Sequence, residues 1–514
     1  MKIDGIIFTG MEKTTTLSRP AGAVRMRTFL EQHNYNIEVV DFFSYFTDEE
    51  IQIICDRFIT DETIFVGISI TFLYDHNKIN NLFKYVKEKY PKVKTLIGGS
   101  EGSVENLDST LIDNFIWGYS EEAFLHYLKY LKRKRLDNLQ WLPYENSLAI
   151  NAESFYKNDD TNLTLNWLPS DLIKGNFLPI EISRGCIFKC RFCQFPLLGK
   201  KKNDYIRHVD NLTEEIRRNY EMFGVNNYWF NDDTFNDNVV KLEYVAEAIA
   251  KSGVDITYSA FLRADLLARF PETISMLADT GLVAANFGIE TLHPVAKKAI
   301  GKGQENERQF DAIRQLKKYK PIWTHTGMIV GLPGEPLSSI FKSQEWFIKQ
   351  DFEVFNSWNW YSLTIRKNVM TRLSEFESDY EKWGYSEMSL EELKDNFYDE
   401  DTLFTHSGIN KTFYWKNKYM NWFQANIIAE KLTKETELHK TKKGLRYTDK
   451  PNISGIGNNN INHEGQPVQT YELIGYGFSM QDIIDGKIDN NVLIEKTKES
   501  QNNIQEYKKL KLGL

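Results

Sequence analysis

Cys186, Cys190 and Cys193 are three of the chain's four cysteines, and they fall within eight residues. They stand in the run Glu-Ile-Ser-Arg-Gly-Cys-Ile-Phe-Lys-Cys-Arg-Phe-Cys, with Phe192 just before the last. Thiolates this close can hold one inorganic centre. Iron–sulfur clusters usually take four cysteines, so a cubane held by three keeps one iron open to a small molecule, and an open position is what chemistry needs. Structural zinc wants four ligands, commonly as paired Cys-x-x-Cys knuckles or with histidines. No second knuckle exists here, and the nearest histidine, His208, comes 15 residues after Cys193. The spacing favours a cluster over zinc. Cys55 lies about 130 residues upstream, in another domain.

The elements that must position these thiols follow from the periodicity. Strand-length apolar runs occur at Ile6–Thr9, Ile37–Phe43, Ile64–Phe72 and Val93–Ile97, with a weaker one at Asn114–Gly118. Helical patterns lie between them at Ala23–His33, Glu49–Phe58 and Lys78–Tyr90. Such alternation predicts an α/β domain over 1–140, a parallel sheet covered on both faces. Ligands of these sheets sit beyond the carboxyl ends of the strands. Three polar or glycine-rich tips lie there: Gly10–Arg19, Ser69–Thr71 and Gly98-Gly99-Ser100. Residues 141–175 read as a connector.

Six further strand–helix units are expected over 176–370, on strands at Leu178–Ser183, Asn227–Phe230, Asp255–Phe261, Val283–Gly288, Thr324–Val330 and Val354–Leu363. The cysteines occupy the loop after the first, a carboxyl strand end, where barrel active sites lie. Asn211-Leu212-Thr213-Glu214 is expected to cap the helix that follows, and Pro271 to open another. Residues 371–514 read as mainly α-helical, with helices at Glu375–Trp383, Leu390–Phe397 and Trp415–Leu432 and a mobile segment near 437–465.

The cysteine spacing, with Phe192, resembles the radical S-adenosylmethionine (SAM) superfamily. The first half resembles the cobalamin-binding domain of one large branch, through Val66-Gly67-Ile68-Ser69, Leu96-Ile97-Gly98-Gly99-Ser100 and Ile116-Trp117-Gly118-Tyr119-Ser120-Glu121-Glu122. The resemblance covers about 1–370. It implies a Rossmann-like amino-terminal domain, a partial (β/α)6 radical SAM barrel and a mainly helical carboxyl-terminal region. It also implies a four-iron–four-sulfur cluster on Cys186, Cys190 and Cys193, with SAM on the fourth iron. Reductive cleavage of SAM then gives a 5′-deoxyadenosyl radical that abstracts a substrate hydrogen. An external electron donor such as flavodoxin or ferredoxin is implied as well.

By the same resemblance Phe192, Asn231, Asp232, Asp233, Arg263, Glu290, Gly327, Ile329 and Gly331 are candidate SAM contacts. Carboxylate acceptors suit the ammonium, and the guanidinium fork of Arg263 suits the carboxylate. Asp232-Asp233-Thr234 also suits a helix cap, and Gly331–Gly334 a tight turn. Ser69, Thr71, Gly98, Gly99 and Ser100 are the candidate cobalamin contacts, small residues that let backbone approach a large flat ring. The branch's cobalt-ligating Asp-x-His-x-x-Gly is absent, so cobalamin is expected, if at all, without a protein histidine on cobalt. Methyl transfer to an unactivated carbon is then the expected outcome, on an unidentified small-molecule or macromolecular substrate. A methylthiotransferase is the alternative enzyme, but it needs three further amino-terminal cysteines. A non-catalytic iron–sulfur sensor or scaffold is the other alternative.

Composition narrows the setting. The 514 residues suggest two or three domains. A formal charge of −8 gives no global basic field for nucleic acid, and the runs Lys132–Arg135 and Lys200–Lys202 read as solvated. Four cysteines argue against a disulfide-built secreted protein. Met1–Phe8 reads as a first strand rather than a signal peptide, and no apolar stretch reaches membrane-spanning length. A reducing cytoplasm is the expected compartment.

Overall fold

A computed structural model describes the chain apart from residues 1, 12–18, 100–105, 134–138, 140, 145–146, 159–160, 175–176, 196, 198–199, 202–203, 304, 368, 370, 390, 394–412, 443–472, 474–475, 479 and 486. It contains two sheets that matter for function. The first is built from β1 (Gly5–Phe8), β2 (Ile37–Val40), β3 (Phe65–Ser69), β4 (Lys94–Gly99), β5 (Asn114–Trp117), β6 (Trp141–Tyr144) and β7 (Ser147–Asn151), in the order β2-β1-β3-β4-β5-β7-β6. All neighbours are parallel except the β6–β7 hairpin. Its helices are α1 (Ala21–Glu31), α2 (Asp48–Phe58), α3 (His76–Lys89) and α4 (Glu121–Arg133).

Local chemistry sets these elements. Thr47 and Glu50 form a reciprocal capping box that starts α2. Ile79, Leu82, Phe83 and Val86 recur every three or four residues and bury one face of α3. The connector expected from 141 begins instead with β6 and β7, which extend the sheet. Pro143 obscured that strand, and an edge strand is where a sheet tolerates proline. The order around β1 and β3 creates a switch point, the usual ligand crevice of such sheets.

The second sheet has six parallel strands in chain order: β8 (Leu178–Ile180), β9 (Asn227–Phe230), β10 (Thr257–Leu262), β11 (Leu282–Glu290), β12 (Trp323–Val330) and β13 (Ser357–Ser362). Helices between them include α5 (Val209–Phe223) after β8, α6 (Val239–Ser252) after β9 and α7 (Ala264–Arg269) after β10. The sheet is an open barrel. α5 starts at Val209 after His208, so the expected cap at Asn211–Glu214 lies inside the helix. The helix expected to open at Pro271 starts at Thr273.

Beyond the barrel, Trp415–Lys416 is a short strand paired with Ser386–Glu387, and the long helix begins only at Trp422 and runs to Lys442. The helix expected at Leu390–Phe397 and most of the segment near 437–465 lie outside the described residues, although 437–442 are helical. The final helix, Asn490–Leu512, joins the two halves. Leu493 packs with Phe177 and Trp323 of the barrel region and with Leu473, and Ile504 and Tyr507 enter the amino-terminal core. The Asp41 N–H donates to the Tyr507 hydroxyl at 2.9 Å, and Lys508 and Lys511 pair with Glu50 and Glu38. At 1.5 Å per residue its 23 residues span about 34 Å. Among the described residues no helix is long and apolar enough to cross a membrane.

Candidate active site

The cysteine loop leaves β8 at Glu181 and crosses the mouth of the barrel. Gly185, at φ +78°, takes the turn before Cys186. Cys186 is buried, and Cys190 and Cys193 are half-buried. Short bonds hold the loop. The Cys193 N–H donates to the Cys190 carbonyl at 3.0 Å, and the Phe188 and Phe195 N–H groups point at the Cys186 and Cys193 sulfurs at 3.5 and 3.4 Å. Burial, with smaller contributions from Cys190, Asp233 and Cys186, pushes the Cys193 thiol up to about 12, so the three thiols are electrostatic neighbours. Among the described residues, no three His, Cys, Asp or Glu side chains converge tightly enough to hold one ion. A cubane takes one thiolate on each iron it binds through protein, and three thiols carried on one loop match that donor set.

The strand tips around the loop carry most of the expected residues. Asn231 is exposed after β9. Burial, with the carboxylates of Asp232 and Glu181, raises Asp233 to about 7, Lys241 offsetting part of the rise. Asp232 itself is fully buried and taken up by the protein: it accepts from Ser183 and from the Ile182 N–H (3.1 Å) and pairs with Lys241 at 3.3 Å. Burial works against the charge on Lys241, but Asp232 and Asp237 more than offset it. Asp232 thus anchors the loop.

Arg263, after β10, binds Asp265 through two nitrogens at 2.9 and 2.6 Å. It also stacks on Phe188 at 4.0 Å and donates to the Cys190 sulfur at 3.4 Å. The site therefore brings Arg263 to the cysteines.

Glu290 ends β11 in the left-handed region, φ +66°, an uncommon state for a non-glycine residue. It pairs with Lys302 at 3.0 Å, and Lys302 lies 5.8 Å from the centre of the Phe192 ring. Gly288 and Gly327 face each other across β11 and β12. A Cβ on Gly288 would strike Glu290 and Lys302, and one on Gly327 would press on the Tyr361 ring. Ile329 lies two residues beyond Gly327 on the same half-buried face of β12. Gly331 serves another purpose: at φ +102° its open side is filled by Trp415, and its carbonyl accepts from Tyr385 at 2.8 Å.

A cavity of about 850 Å³ joins the two sheets. On one side it meets Ser69, Thr71, Gly98 and Gly99, and on the other Gln194, Phe195 and Asn231. No histidine lines it among the described residues; His33 bonds the Phe29 carbonyl and His126 lies tilted against Phe155. Ser100 lies outside the described residues.

Glu335 lies just past β12, immediately after Gly331–Gly334. It is 2% exposed and accepts from the Thr291 hydroxyl at 2.8 Å, tying the tips of β11 and β12. Burial raises it from 4.5 to about 7, with the Thr291 and Ser339 hydroxyls offsetting part. The folded state thus keeps a proton that the unfolded chain has released. Its stabilising effect is complete below 4.5 and is lost as pH rises through about 7. At 1.36 kcal/mol per unit this is on the order of 3 kcal/mol. Glu335→Gln should flatten the fall in urea stability over that range, and an unchanged slope would refute the assignment.

Sequence reasoning missed two further groups. Glu377, 6% exposed, accepts from Gln194 Nε2 at 2.8 Å and Arg366 Nε at 2.8 Å, tying the cysteine loop to the segment after the barrel. Arg25, Glu121, Glu181 and Arg184 form an ion network at the cavity wall. The one available signal was Arg25, a charge beside Val24 on the apolar face of α1.

Residues 180–347, spanning most of the barrel, match the Radical SAM superfamily. Together with the cysteine loop at the barrel mouth, this shows that the chain carries a radical SAM domain, a domain that implies a four-iron–four-sulfur cluster and SAM. An uncharacterised methyltransferase of Pyrococcus horikoshii is 24% identical over 356 residues, covering 66% of this chain and 75% of the relative. Bacteriochlorophyllide d C-12(1)-methyltransferase of Chlorobaculum tepidum is 26% identical over 282 residues, 51% of this chain and 60% of that protein. Among solved structures, the radical SAM methyltransferase TsrM from Kitasatospora setae, with tryptophan and a SAM analogue bound, superposes with TM-score 0.63 at 13% identity, covering 98% of this chain and 99% of its own. The cobalamin-dependent radical enzyme OxsB gives 0.55 at 16% identity, covering 99% of this chain and 72% of its own. At these identities the likeness shows the two-part fold.

Proposed function

We propose that this chain is a cobalamin-dependent radical SAM methyltransferase acting on an unactivated carbon. The observation that carries the reading is the cavity shared by the amino-terminal strand tips and the cysteine loop. Cys186, Cys190 and Cys193 would hold the cluster. Asn231 and Asp233 would receive the amino group of SAM; a cation there would favour the ionised form of Asp233, whose pKa is otherwise raised. Gly327, Ile329 and the Glu290–Lys302 pair would border the rest of SAM on the barrel face.

Ser69, Thr71, Gly98 and Gly99 would lie against a corrin, with no imidazole to reach cobalt. When bound, the reduced cluster and SAM supply one-electron cleavage of a carbon–sulfur bond, and cobalamin supplies a methyl carrier. The protein positions these groups and keeps water from the barrel mouth. Electrons come from an external donor such as flavodoxin or ferredoxin. The relatives named above as methyltransferases support the same direction of chemistry. A methylthiotransferase is disfavoured, because Cys55, the remaining cysteine, is fully buried in α2.

Anaerobic reconstitution with iron and sulfide, with and without cobalamin, tests the reading. One cluster and one corrin per chain are expected, with 5′-deoxyadenosine released from SAM under reduction. Tightly bound zinc without iron would refute the cluster. Failure to take up corrin in excess would refute methyl transfer through cobalamin and leave SAM cleavage intact.

A further inference from the structure

The ion network at the cavity wall is a closed ring of alternating charge. Arg25 donates to Glu121 at 2.7 Å and to Glu181 at 3.1 Å. Arg184 donates to Glu121 at 2.7 and 3.1 Å and to Glu181 at 2.9 and 3.0 Å. Arg25, Glu121 and Arg184 are each at most 7% exposed. Burial alone would raise Glu121, yet Arg184 and Arg25 hold it well below the ordinary carboxylate range. The Arg184 guanidinium also stacks on Tyr119, 4.4 Å from the ring centre.

The placement is informative. Arg25 and Glu121 belong to α1 and α4 of the amino-terminal domain. Glu181 directly follows β8, and Arg184 stands two residues before Cys186. All four line the cavity. A buried ion network is weak evidence for stability, since apolar residues of the same volume stabilise as well. What it adds is directional: each guanidinium has one satisfactory pose against two carboxylates. A ring spanning two domains at the root of the cysteine loop therefore specifies their register.

We infer that Arg25, Glu121, Glu181 and Arg184 are positioning residues that lock the cysteine loop to the amino-terminal strand tips, and so fix the separation between the cluster and whatever occupies the cavity. That the occupant is a corrin rests on the function proposed above; the lock itself does not.

Full-length Glu121→Gln tests the lock, with Arg25→Gln as a second variant and Glu121→Asp as the conservative rescue. Amide hydrogen exchange of the metal-free protein is the first readout. Exchange within 181–195 and 118–124 should accelerate on the order of tenfold while the other strands keep their protection, and Glu121→Asp should restore most of it. The second readout is pulsed electron paramagnetic resonance of the reconstituted protein, between reduced cluster and cob(II)alamin. A single narrow distance in the parent should broaden in Glu121→Gln. Unchanged exchange in both glutamine variants, or acceleration spread evenly over the chain, would overturn the inference. If corrin does not bind, the exchange result still decides the lock and only the cobalamin reading fails.

Discussion

Cys190→Ala should bring reductive SAM cleavage down to background, a loss of at least about 1,000-fold, or about 4 kcal/mol of transition-state stabilisation. Cys190 sits between the other two cysteines in sequence, and Arg263 points at its sulfur. Its loss would leave two thiols, too few to retain a cubane with one open iron. Iron and sulfide content after anaerobic reconstitution should fall with activity. Cys55→Ala is the informative contrast. Burial pushes its thiol up to about 12, which makes it a poor nucleophile and a poor ligand. It packs as a small apolar residue in the amino-terminal core. Its removal should cost about 1–2 kcal/mol of stability and leave iron content unchanged. Full iron content in Cys190→Ala would end the cluster assignment.

Gly98→Trp should weaken corrin binding at least about 100-fold, near 3 kcal/mol, while the protein stays folded. The reason is local. Gly98 has an ordinary backbone, and the nearest atom to an added Cβ is the Ile116 carbonyl oxygen at 3.4 Å, so a side chain there projects into open cavity. Its neighbour behaves differently. Gly99 has φ +115°, and a Cβ would lie 2.5 Å from the Thr71 hydroxyl. Gly99→Ala should therefore cost about 1–2 kcal/mol of stability through backbone strain, with a smaller effect on a ligand. Equilibrium dialysis with hydroxocobalamin, alongside thermal melts, separates the two. Equal affinity in Gly98→Trp and the parent would remove the cavity from consideration as the corrin site.

How far the sequence spoke depended on whether the signal was local. The parallel strands announced themselves because both faces are buried, and their apolar runs needed no partner to be recognised. Cysteine spacing is local too, and so are the glycine-rich tips that border the cavity. Asp232 shows where this reading stops. By type and place it looked like a ligand for an ammonium, but the ammonium it meets belongs to Lys241, which in sequence resembles any helix-surface lysine. Gly331 likewise has its close approach, to Trp415 some 80 residues away.

The ring around Glu121 is invisible for the same reason, since Arg25 and Arg184 reach it across 96 and 63 residues. The final helix was legible only as a helix. Its buried side includes Thr497, Ser500, Lys508 and Lys511 beside Leu493, Ile504 and Tyr507. That stripe follows the helical period without being apolar, so hydrophobic patterning gave no hint that it packs on both domains.

That helix also imposes an order in time. The Asp41 amide and the Tyr507 hydroxyl that receives it are 466 residues apart. At about 5–20 residues per second, translation separates their appearance by roughly 25–90 s. Throughout that interval the first domain stands exposed on the face that Ile504 and Tyr507 will cover, and Arg19 lacks the ring that stacks on it. Final consolidation of the first domain therefore waits until the helix that carries Ile504 and Tyr507 has been made.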